Sequence, residues 1–384
     1  MSFRQPFFHL REKATAALCQ LSVPSSRYGL DIFLPSPKLT SFSSASDASF
    51  RFFQEKDGVV MMDFHTALEK FPDMLSSLAS LLDEEDYFEM HHLASIENGL
   101  LIWVNEHVSP AQPFSIPSLP LAVSHILLIA SSHSRITCVY SPSPLSSSPS
   151  SSVIEIVASP YSHVDFVSMS PSSPSSFHFS LRKSSVSYHA SVNWYWVESG
   201  ASLLRTITSS SLIGERASSK DIGLILGHAE NVLDVHQSAY HSHPSTKSQI
   251  LLRGTLDDYS KCVYHGLLHM IPSARGSVGH QRADFLLLSP HAEVDPVPSL
   301  EIEGSDVHCS HAATIGRLDK EKLFYLSSRG LDAARSRSLY ISGFITHLLS
   351  HFPDSISLDV IRSIITSTLP FFDYSHPMDV GVVA

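Results

Sequence analysis

Short runs of alternating apolar and polar residues dominate the middle of the chain, from about residue 115 to residue 315. Ser, Gly or Pro bounds each run, and no helical pattern separates one run from the next. Alternation with a period of two is typical of half-buried β-strands, so the pattern predicts an all-β unit. No clean fixed-period repeat is visible, so sandwich, barrel and solenoid all stay open. The runs are 153–158, 163–169, 177–181, 186–197, 203–207, 223–226, 249–256, 261–268, 285–288 and 300–302.

The N-terminal region, residues 1 to about 110, mixes helical patterns with loops. Residues 60–82 are expected to be helical, and Pro72 is expected to divide or kink the segment because proline breaks the helical hydrogen-bond ladder. Two Pro- and Ser-rich stretches, 35–49 and 141–152, predict loops, the second of them exposed and of low complexity. The apolar residues at helical spacing are Met61, Phe64, Leu68 and Phe71.

The C-terminal region, from about residue 318, turns helical again. Asp319 is a predicted N-cap for a helix that Gly330 ends, and Asp332 a predicted N-cap for the next helix. A third helix is expected at 357–368. The apolar stripe of the second helix is Ile341, Phe344, Ile345, Leu348 and Phe352. The predicted organisation is a mixed helical region (1–110), a β core (111–315) and a helical region (316–384).

Composition and charge limit the classes of molecule that the chain is expected to bind. The chain has 384 residues, of which 43% are hydrophobic and 16% charged, which is enough apolar material for a large core. The formal charge of −11 argues against a sequence-independent grip on nucleic acid, and no basic run predicts a membrane partner. Neither a membrane span nor a signal-peptide core is evident, so a cytoplasmic protein is expected.

Several motifs of known chemistry are absent. The four cysteines, Cys19, Cys138, Cys262 and Cys309, stand far apart without a CxxC pair, so neither a zinc ribbon nor a dithiol motif is present. Reduced thiols are expected. No GxxxxGK[ST] phosphate loop occurs, so the chain is expected to bind no nucleotide directly. A nucleotide-driven function would need a partner ATPase.

Cys309 and His311 form the most informative candidate site. On an extended strand their side chains lie on the same face, and thiolate and imidazole together suit Fe, Zn or an iron–sulfur cluster. Two ligands are too few for a closed site, so a second chain or distant residues would have to complete it. The structural alternative is a buried cysteine beside a hydrogen-bonded histidine.

Four other pairs could carry chemistry, but each has a structural interpretation that is favoured. A solvated turn is favoured for the first, a satisfied half-buried strand pair for the second, core packing for the aromatic pair and an exposed strand face for the acidic pair. These pairs are His241 with His243, His265 with His269, Trp194 with Trp196, and Glu301 with Glu303.

Four linked motifs in the last third of the chain resemble the C-terminal signature of the SufB/SufD family. They occupy residues 281–289, 292–302, 306–319 and 323–330, in the order and spacing of that signature. The resemblance implies a right-handed parallel β-helix flanked by helical segments. It also implies a scaffold subunit, not a catalyst, for assembling a transient iron–sulfur cluster.

The same resemblance implies partners and site residues. SufD pairs with SufB through the β-helix, and the ATPase SufC binds the C-terminal helices; alone, the chain could form a homodimer. Cys309 and His311 fall on the family's Cys-Ser-His motif, where the histidine is implicated in a cluster site shared with SufB. The residues expected to contact SufC are Phe324, Tyr325, Leu326, Arg329 and Gly330.

Within the family the chain is more similar to SufD than to SufB. SufB-like sequences place a Glu after the motif histidine, whereas Ala312 and Ala313 follow His311 here. Departures from the SufD pattern are Ala312 in place of Gly, Val297 in place of Lys, and Ala283 and Phe285 at polar positions. Two rival functions stay open: a mononuclear metalloenzyme using His241 and His243, and a carbohydrate-binding β-solenoid using Trp194 and Trp196.

Overall fold

Two β-sheets face each other through the centre of the molecule, and along most of its length the chain crosses from one to the other after every strand. The structure, a computed structural model, describes residues 5–21, 26–27, 33–34, 50–119, 121–141, 149–170, 177–199 and 201–354. The loop predicted at 35–49 and the helix predicted at 357–368 lie outside the described residues.

The described helices lie near the two ends of the chain, and strands fill the middle. The helices are α1 (Gln5–Leu18), α2 (Phe64–Lys70), a 3-10 helix (Pro72–Ser77), α3 (Tyr87–Ser95), α4 (Lys320–Ser328) and α5 (Ala333–Leu349). The strands are β1 (Ser26–Arg27), β2 (Phe33–Leu34), β3 (Phe53–Lys56), β4 (Val59–Asp63), β5 (Leu100–Val104), β6 (Phe114–Ile116), β7 (Val123–Ala130), β8 (Arg135–Tyr140), β9 (Ser150–Ala158), β10 (His163–Ser170), β11 (Phe177–Val186), β12 (Ser191–Ser199), β13 (Leu203–Leu212), β14 (Ser218–Gly227), β15 (Val232–His241), β16 (Lys247–Leu256), β17 (Lys261–Met270), β18 (Ser277–Leu287), β19 (Glu293–Ile302) and β20 (Val307–Arg317).

The connectivity is that of a parallel β-solenoid, or β-helix, of about 7 turns. From β5 onward the odd strands form one sheet and the even strands the other, and each strand pairs in parallel with the strand two places further on. The paired residues are 24 to 32 positions apart, as for Phe114 with Cys138 and Lys261 with Glu293. Because the turns differ in length, the repeat has no fixed period in the sequence. The predicted β-helix is confirmed, and the sandwich and the barrel are excluded.

The space between the two sheets is the main core. Trp194 and Trp196 of β12 lie in it and are 0% exposed. They pack with residues of both sheets, among them Val192, Tyr264 and Phe285. An aromatic binding platform needs ring faces open to solvent, so the core interpretation of this pair is correct and the carbohydrate-binding hypothesis loses its basis.

The N-terminal helices pack against the outer face of the larger sheet. Phe88 of α3 contacts Phe177 and Phe179 of β11, with ring centroids 5.5 and 5.7 Å apart. The helix predicted across residues 60–82 is wrong in its first part, because residues 60–63 belong to β4, which pairs antiparallel with β3 and β5. The predicted break at Pro72 is confirmed, since α2 ends at Lys70 and a 3-10 helix begins at Pro72.

The C-terminal helices follow the predicted caps. The Asp319 side chain accepts hydrogen bonds from the amides of Glu321 and Lys322 at the start of α4. Asp332 caps α5 through the amide of Arg335. The predicted apolar stripe buries α5 against the outer face of the smaller sheet; from it Ile341, Ile345, Leu348 and Phe352 join a cluster with Tyr195, Leu224 and Leu251.

The predicted strands cover only part of the β core. Residues 150–152, predicted as part of a loop, form the start of β9 and are buried; residues 142–148 of that loop are outside the described range. No predicted run covers β6, β7, β8, β15 or β20. The division at residues 110 and 315 stays a prediction, although strands pair from Phe53 to Arg317. None of the described helices is long and apolar enough to cross a bilayer.

Candidate functional site

Cys309 and His311 lie on β20, the last strand of the smaller sheet. This strand pairs with β18 on one side only, so the last turn of the solenoid is an open end. Cys309 stands opposite Gly279 and His311 opposite Gln281 in the parallel register. Alternation places both residues on the strand face that continues the solenoid interior, as the extended spacing predicts.

Cys309 is partly buried against the larger sheet. Its Sγ lies 3.2 Å from the Sδ of Met270, the last residue of β17. Burial raises the pKa of the Cys309 thiol, and a hydrogen bond from the backbone of Gly279 opposes that shift. A side chain at Gly279 would place its Cβ 2.8 Å from the methyl carbon of Met270, so glycine leaves room for the contact below Cys309.

His311 is exposed and lies one turn beyond a buried amide. Gln281, its register partner, is 2% exposed and donates a hydrogen bond of 3.2 Å from Nε2 to the hydroxyl of Tyr264. The Oε1 atom of Gln281 is buried without a hydrogen-bond partner. The motif histidine therefore has solvent on one side and a partly satisfied polar interior on the other.

The donor set at this open end fits an iron–sulfur cluster but does not complete a site for one. Thiolate and imidazole are both ligands of iron in such clusters. Among the described residues, only Asp234, His236 and His265 bring three ligand atoms together, and that group does not include Cys309 or His311. Within the part of the chain that the structure describes, no third ligand atom joins those of Cys309 and His311.

Apolar residues stay exposed around the open end. Val297 and Ile302 of β19 and Ile315 of β20 are 39%, 44% and 49% exposed. Ile302 and Ile315 are the register partners of the buried Met270 and Phe285, so they continue the interior rows of the two sheets without a further described turn to cover them. Val297 is the partner of His265 and lies on the outer face of the larger sheet. The Val297 position is also one of the departures noted from the SufD pattern.

The residues predicted to contact an ATPase lie on and just after α4, a helix with no buried residue. Phe324 is 76% and Tyr325 56% exposed. The guanidinium of Arg329 lies 5.1 Å from the centre of the Tyr325 ring, and Gly330 takes the left-handed conformation (φ +94°) that ends the helix. Leu326 is half-buried. The structure thus places the five residues together at one end of one helix.

A buried ion pair in the solenoid interior was not foreseen from the sequence. Arg182, 1% exposed, pairs with Glu198 and donates hydrogen bonds of 2.9 Å to the hydroxyls of Ser168 and Thr206. Alternation within β11 gives the inward direction of this side chain, but only the three-dimensional stacking of turns reveals its partners.

A buried carboxyl lies beside this ion pair. Asp221 accepts a hydrogen bond of 2.6 Å from Trp196 Nε1, and burial raises the pKa of Asp221 to about 6. Arg182 lies 5.0 Å from the Trp196 ring. Oxygen atoms of both Glu198 and Asp221 are buried without a partner. Polar groups therefore occupy the interior in its middle turns as well as at Gln281.

The two other histidine pairs differ in how far their predicted environments are correct. The solvated turn is correct for His243, which is exposed, but wrong for His241, which is fully buried at the end of β15. His241 bonds to the hydroxyls of Thr246 and Ser248, both at 2.7 Å, so the rival metalloenzyme built on His241 and His243 has no site.

His265 and His269 are half-buried on strand β17, as predicted. His269 bonds to Glu303 at 3.0 Å, while Glu301 lies on the exposed face expected for the acidic pair. His265 belongs to the group with Asp234 and His236, which sequence reasoning missed because the three residues come from two strands.

A parallel β-solenoid with a Cys-Ser-His motif at its open end defines a class of scaffold proteins. The family profile described as "SUF system FeS cluster assembly, SufBD core domain" matches residues 116–344. The chain belongs to this SufB/SufD family of iron–sulfur cluster assembly proteins, as the linked motifs predicted.

Curated relatives agree with this assignment. The chain is 23% identical over 322 residues to an iron–sulfur cluster assembly SufBD family protein of Staphylococcus haemolyticus, covering 81% of this chain and 69% of that protein. It is 30% identical over 192 residues to the iron–sulfur cluster assembly protein SufD of Escherichia coli K12, covering 50% of this chain and 45% of that protein. The similarity to SufD noted from the residues after His311 is therefore confirmed.

Proposed function

We propose that the chain is a SufD-type, non-catalytic scaffold subunit that pairs with a SufB-like subunit and binds a SufC-like ATPase. The observation that carries the proposal is the position of the motif: the thiol of Cys309 and the imidazole of His311 lie on an edge strand at the open end of the solenoid. A scaffold that completes its site only on pairing needs ligands at a surface that a partner can reach.

The cluster is the cargo of this site, shared between two chains. Cys309 and His311 supply one thiolate and one imidazole, and a partner would supply the remaining ligands. Burial already raises the pKa of Cys309, and iron ligation would reverse that by deprotonating the thiol. The exposed Ile302 and Ile315, which continue the interior rows at the open end, would be covered in the same step.

The ATPase contact is proposed at the C-terminal end of α4. Exposed aromatic side chains are enriched in protein interfaces because they bury much apolar area at low entropic cost. Phe324 and Tyr325 offer such area. Through α5, the same end of the molecule is connected to the outer face of the smaller sheet, which carries β20 as its last strand.

Anaerobic co-expression with a SufB and a SufC tests the cluster site. A three-component complex is expected on size-exclusion chromatography, and its iron and sulfide content should fall in His311→Ala. The matched control is His308→Ala, which removes an exposed histidine from the opposite face of the same strand. Equal cluster content in the two variants would contradict the assignment of His311, and a chain that elutes alone would contradict the scaffold role.

Co-purification with SufC tests the α4 surface. Tyr325→Ala combined with Arg329→Ala should abolish recovery of SufC while SufB is still recovered. Tyr259→Ala is the matched control, because Tyr259 is a similarly exposed aromatic residue (58%) on a solenoid corner far along the chain. Full recovery of SufC with the double variant would show that the ATPase binds elsewhere.

A further inference from the structure

Three ligand-bearing side chains converge on the outer face of the larger sheet, away from the Cys-Ser-His motif. Asp234 and His236 lie two residues apart on β15, and His265 of β17 is the register partner of His236. One ligand atom from each lies within 4.8 Å of the other two. The side chain of Asp234 is almost fully buried, and those of both histidines are partly exposed, so solvent reaches the group from one side.

We propose that Asp234, His236 and His265 form a mononuclear binding site for a divalent first-row transition ion such as Zn²⁺ or Fe²⁺. Two imidazoles and one carboxylate are the donors that such ions prefer, whereas Mg²⁺ and Ca²⁺ prefer oxygen ligands alone. This site is independent of the proposed assembly role, because it shares no residue with the open end of the solenoid.

The arrangement of these three side chains requires only small movements to hold an ion. Bonds of about 2.0–2.1 Å to zinc place neighbouring ligand atoms roughly 3.4 Å apart, so atoms as far as 4.8 Å apart must approach by up to about 1.4 Å. Asp234 Oδ1 and His236 Nε2, now 2.8 Å apart, must instead separate by about 0.6 Å. The two imidazoles now lie nearly parallel, with ring centroids 4.7 Å apart. Rotation of one ring about its terminal torsion, which has a broad energy minimum, would bring the lone pairs together.

Contacts with Arg205 and His236 already orient the carboxylate of Asp234. Arg205 donates a hydrogen bond of 2.5 Å from its guanidinium to Asp234 Oδ2, which leaves Oδ1 directed at His236 Nε2 at 2.8 Å. Asp86 Oδ2 lies 3.7 Å from the same guanidinium. Two carboxylates therefore face one arginine, and the local charge without an ion is negative when the histidines are neutral.

The protonation states suit metal ligation. Burial, and to a smaller extent His236, lowers the pKa of His265 to about 4 despite the opposing charge of Asp234, so its imidazole is neutral at pH 7. Burial acts to raise the pKa of Asp234, but His236, Arg205 and His265 outweigh it and the net shift is downward. Neutral imidazole and ionised carboxylate are the forms that bind a metal.

A cavity lies beside the site on the same face of the larger sheet. Ile207, the register partner of His236, and Ser238, two residues further along β15, both line a cavity of about 350 Å³ between the sheet and the N-terminal helices. Glu89 and Lys183 pair in the same cavity. Three protein ligands leave room for water or a small anion, as in metal sites that keep an open position.

Titration of the purified full chain with Zn²⁺ tests the site. The chain should carry Cys309→Ser and His311→Ala, so that the motif at the open end contributes no ligand. One equivalent of Zn²⁺ is expected to bind, and His265→Ala should weaken the affinity at least about tenfold, since even the loss of a residue that only hydrogen-bonds to a ligand weakens metal binding by about 10–100-fold. Mg²⁺, which prefers oxygen ligands, is expected not to bind to the unsubstituted site.

The matched control is His269→Ala. His269 lies on the same strand as His265 and also pairs with a carboxylate, Glu303, but no third ligand atom joins this pair among the residues that the structure describes. Equal Zn²⁺ affinity in His265→Ala and His269→Ala would overturn the proposal. If His265→Ala does not fold, Zn²⁺ should still protect His236 and His265 of the unsubstituted site from modification by diethyl pyrocarbonate; absence of protection would equally overturn it.

Discussion

The Sγ atom of Cys309 lies 3.2 Å from the Sδ atom of Met270, across the open end of the solenoid from β20 to β17. Met270 is fully buried, so it forms the floor on which the motif thiol rests. The contact explains why the thiol is only partly accessible even though its strand is an exposed edge. It also determines how the thiol should react before any cluster is bound.

Cys309 should react slowly with a thiol reagent and faster as the pH rises. Burial raises its pKa, and only the thiolate is nucleophilic, so the labelling rate in Cys19→Ser should keep rising between pH 7 and pH 9. Met270→Ala should accelerate labelling by exposing the sulfur. Cys309→Ser should abolish it, since Cys138 and Cys262 are fully buried. A rate that levels off below pH 8 would contradict a raised pKa.

Substitution of Arg182 should destabilise the solenoid strongly. Removing one partner of a buried ion pair leaves the other charge without compensation, which costs about 3–5 kcal/mol. We therefore expect Arg182→Met to lower the free energy of unfolding by about this amount in chemical denaturation. Glu198→Gln in the Arg182→Met background should recover part of the loss, because the orphaned carboxylate becomes neutral.

The ion pair of Lys183 with Glu89 provides a control for the substitutions at Arg182 and Glu198. Lys183 follows Arg182 on the opposite face of β11 and pairs with Glu89 on the outside of the sheet. Lys183→Met should cost less than Arg182→Met, because this pair lies nearer to solvent. Additive effects of Arg182→Met and Glu198→Gln would show that the two side chains do not interact in the folded chain.

The sequence predicted the fold through two separate kinds of information. Alternation located strands such as 261–268, because inward residues of a β-strand are apolar whenever the core is apolar. It could not distinguish a solenoid, since turns of unequal length hide the repeat; the β-helix came from the resemblance carried by residues 281–330. Residues 60–63 were predicted as helix because their apolar side chains fit the helical period as well as the strand period of two. In the structure they form a strand, because they pair with β3 and β5.

The candidate site was predictable only where its residues adjoin in sequence. Cys309 and His311 share a strand, so period two was enough to place them on one face. The group of Asp234, His236 and His265 depends on the register between β15 and β17, and the pair of Arg182 and Glu198 on the packing of β11 against β12. The register depends on how many residues each turn of the solenoid contains, and the alternation within a single strand does not reveal that number.

The buried His241 should make the chain less stable in acid. Burial lowers the pKa of His241 to about 4, below its ordinary value near 6.5, so the unfolded chain binds the proton more readily. This contribution to stability is present above about pH 6.5 and is lost as the pH falls towards 4. At about 1.4 kcal/mol per pKa unit, the loss is on the order of 3 kcal/mol.

Comparison with His241→Gln isolates this effect from other groups. Glu89 and Asp221, whose pKa values burial raises to about 7 and about 6, change stability in the opposite direction with pH. The difference in unfolding free energy between the unsubstituted chain and His241→Gln should therefore shrink between pH 7 and pH 4. The exposed His243→Gln is the control. A difference that stays constant over this range would contradict a neutral, buried His241.

Gly266 should be needed to hold the amide beneath His311. A Cβ at Gly266 would lie 1.7 Å from Gln281 Nε2 and 2.6 Å from the Tyr264 hydroxyl, and Gln281 is too buried to swing away. We expect Gly266→Ala to displace Gln281, to lower the free energy of unfolding by about 1–3 kcal/mol through overpacking, and to reduce cluster content in the three-component complex.

Shortening Gln281 separates the two causes of this loss. In Gln281→Ala the space beside Gly266 is empty, so adding Gly266→Ala should cost much less than it does alone, measured by chemical denaturation. If cluster content is also restored in the double variant, crowding against His311 was responsible for its loss. A cost of Gly266→Ala that is the same in both backgrounds would mean that backbone strain in β17, and not the amide of Gln281, excludes a side chain at this position.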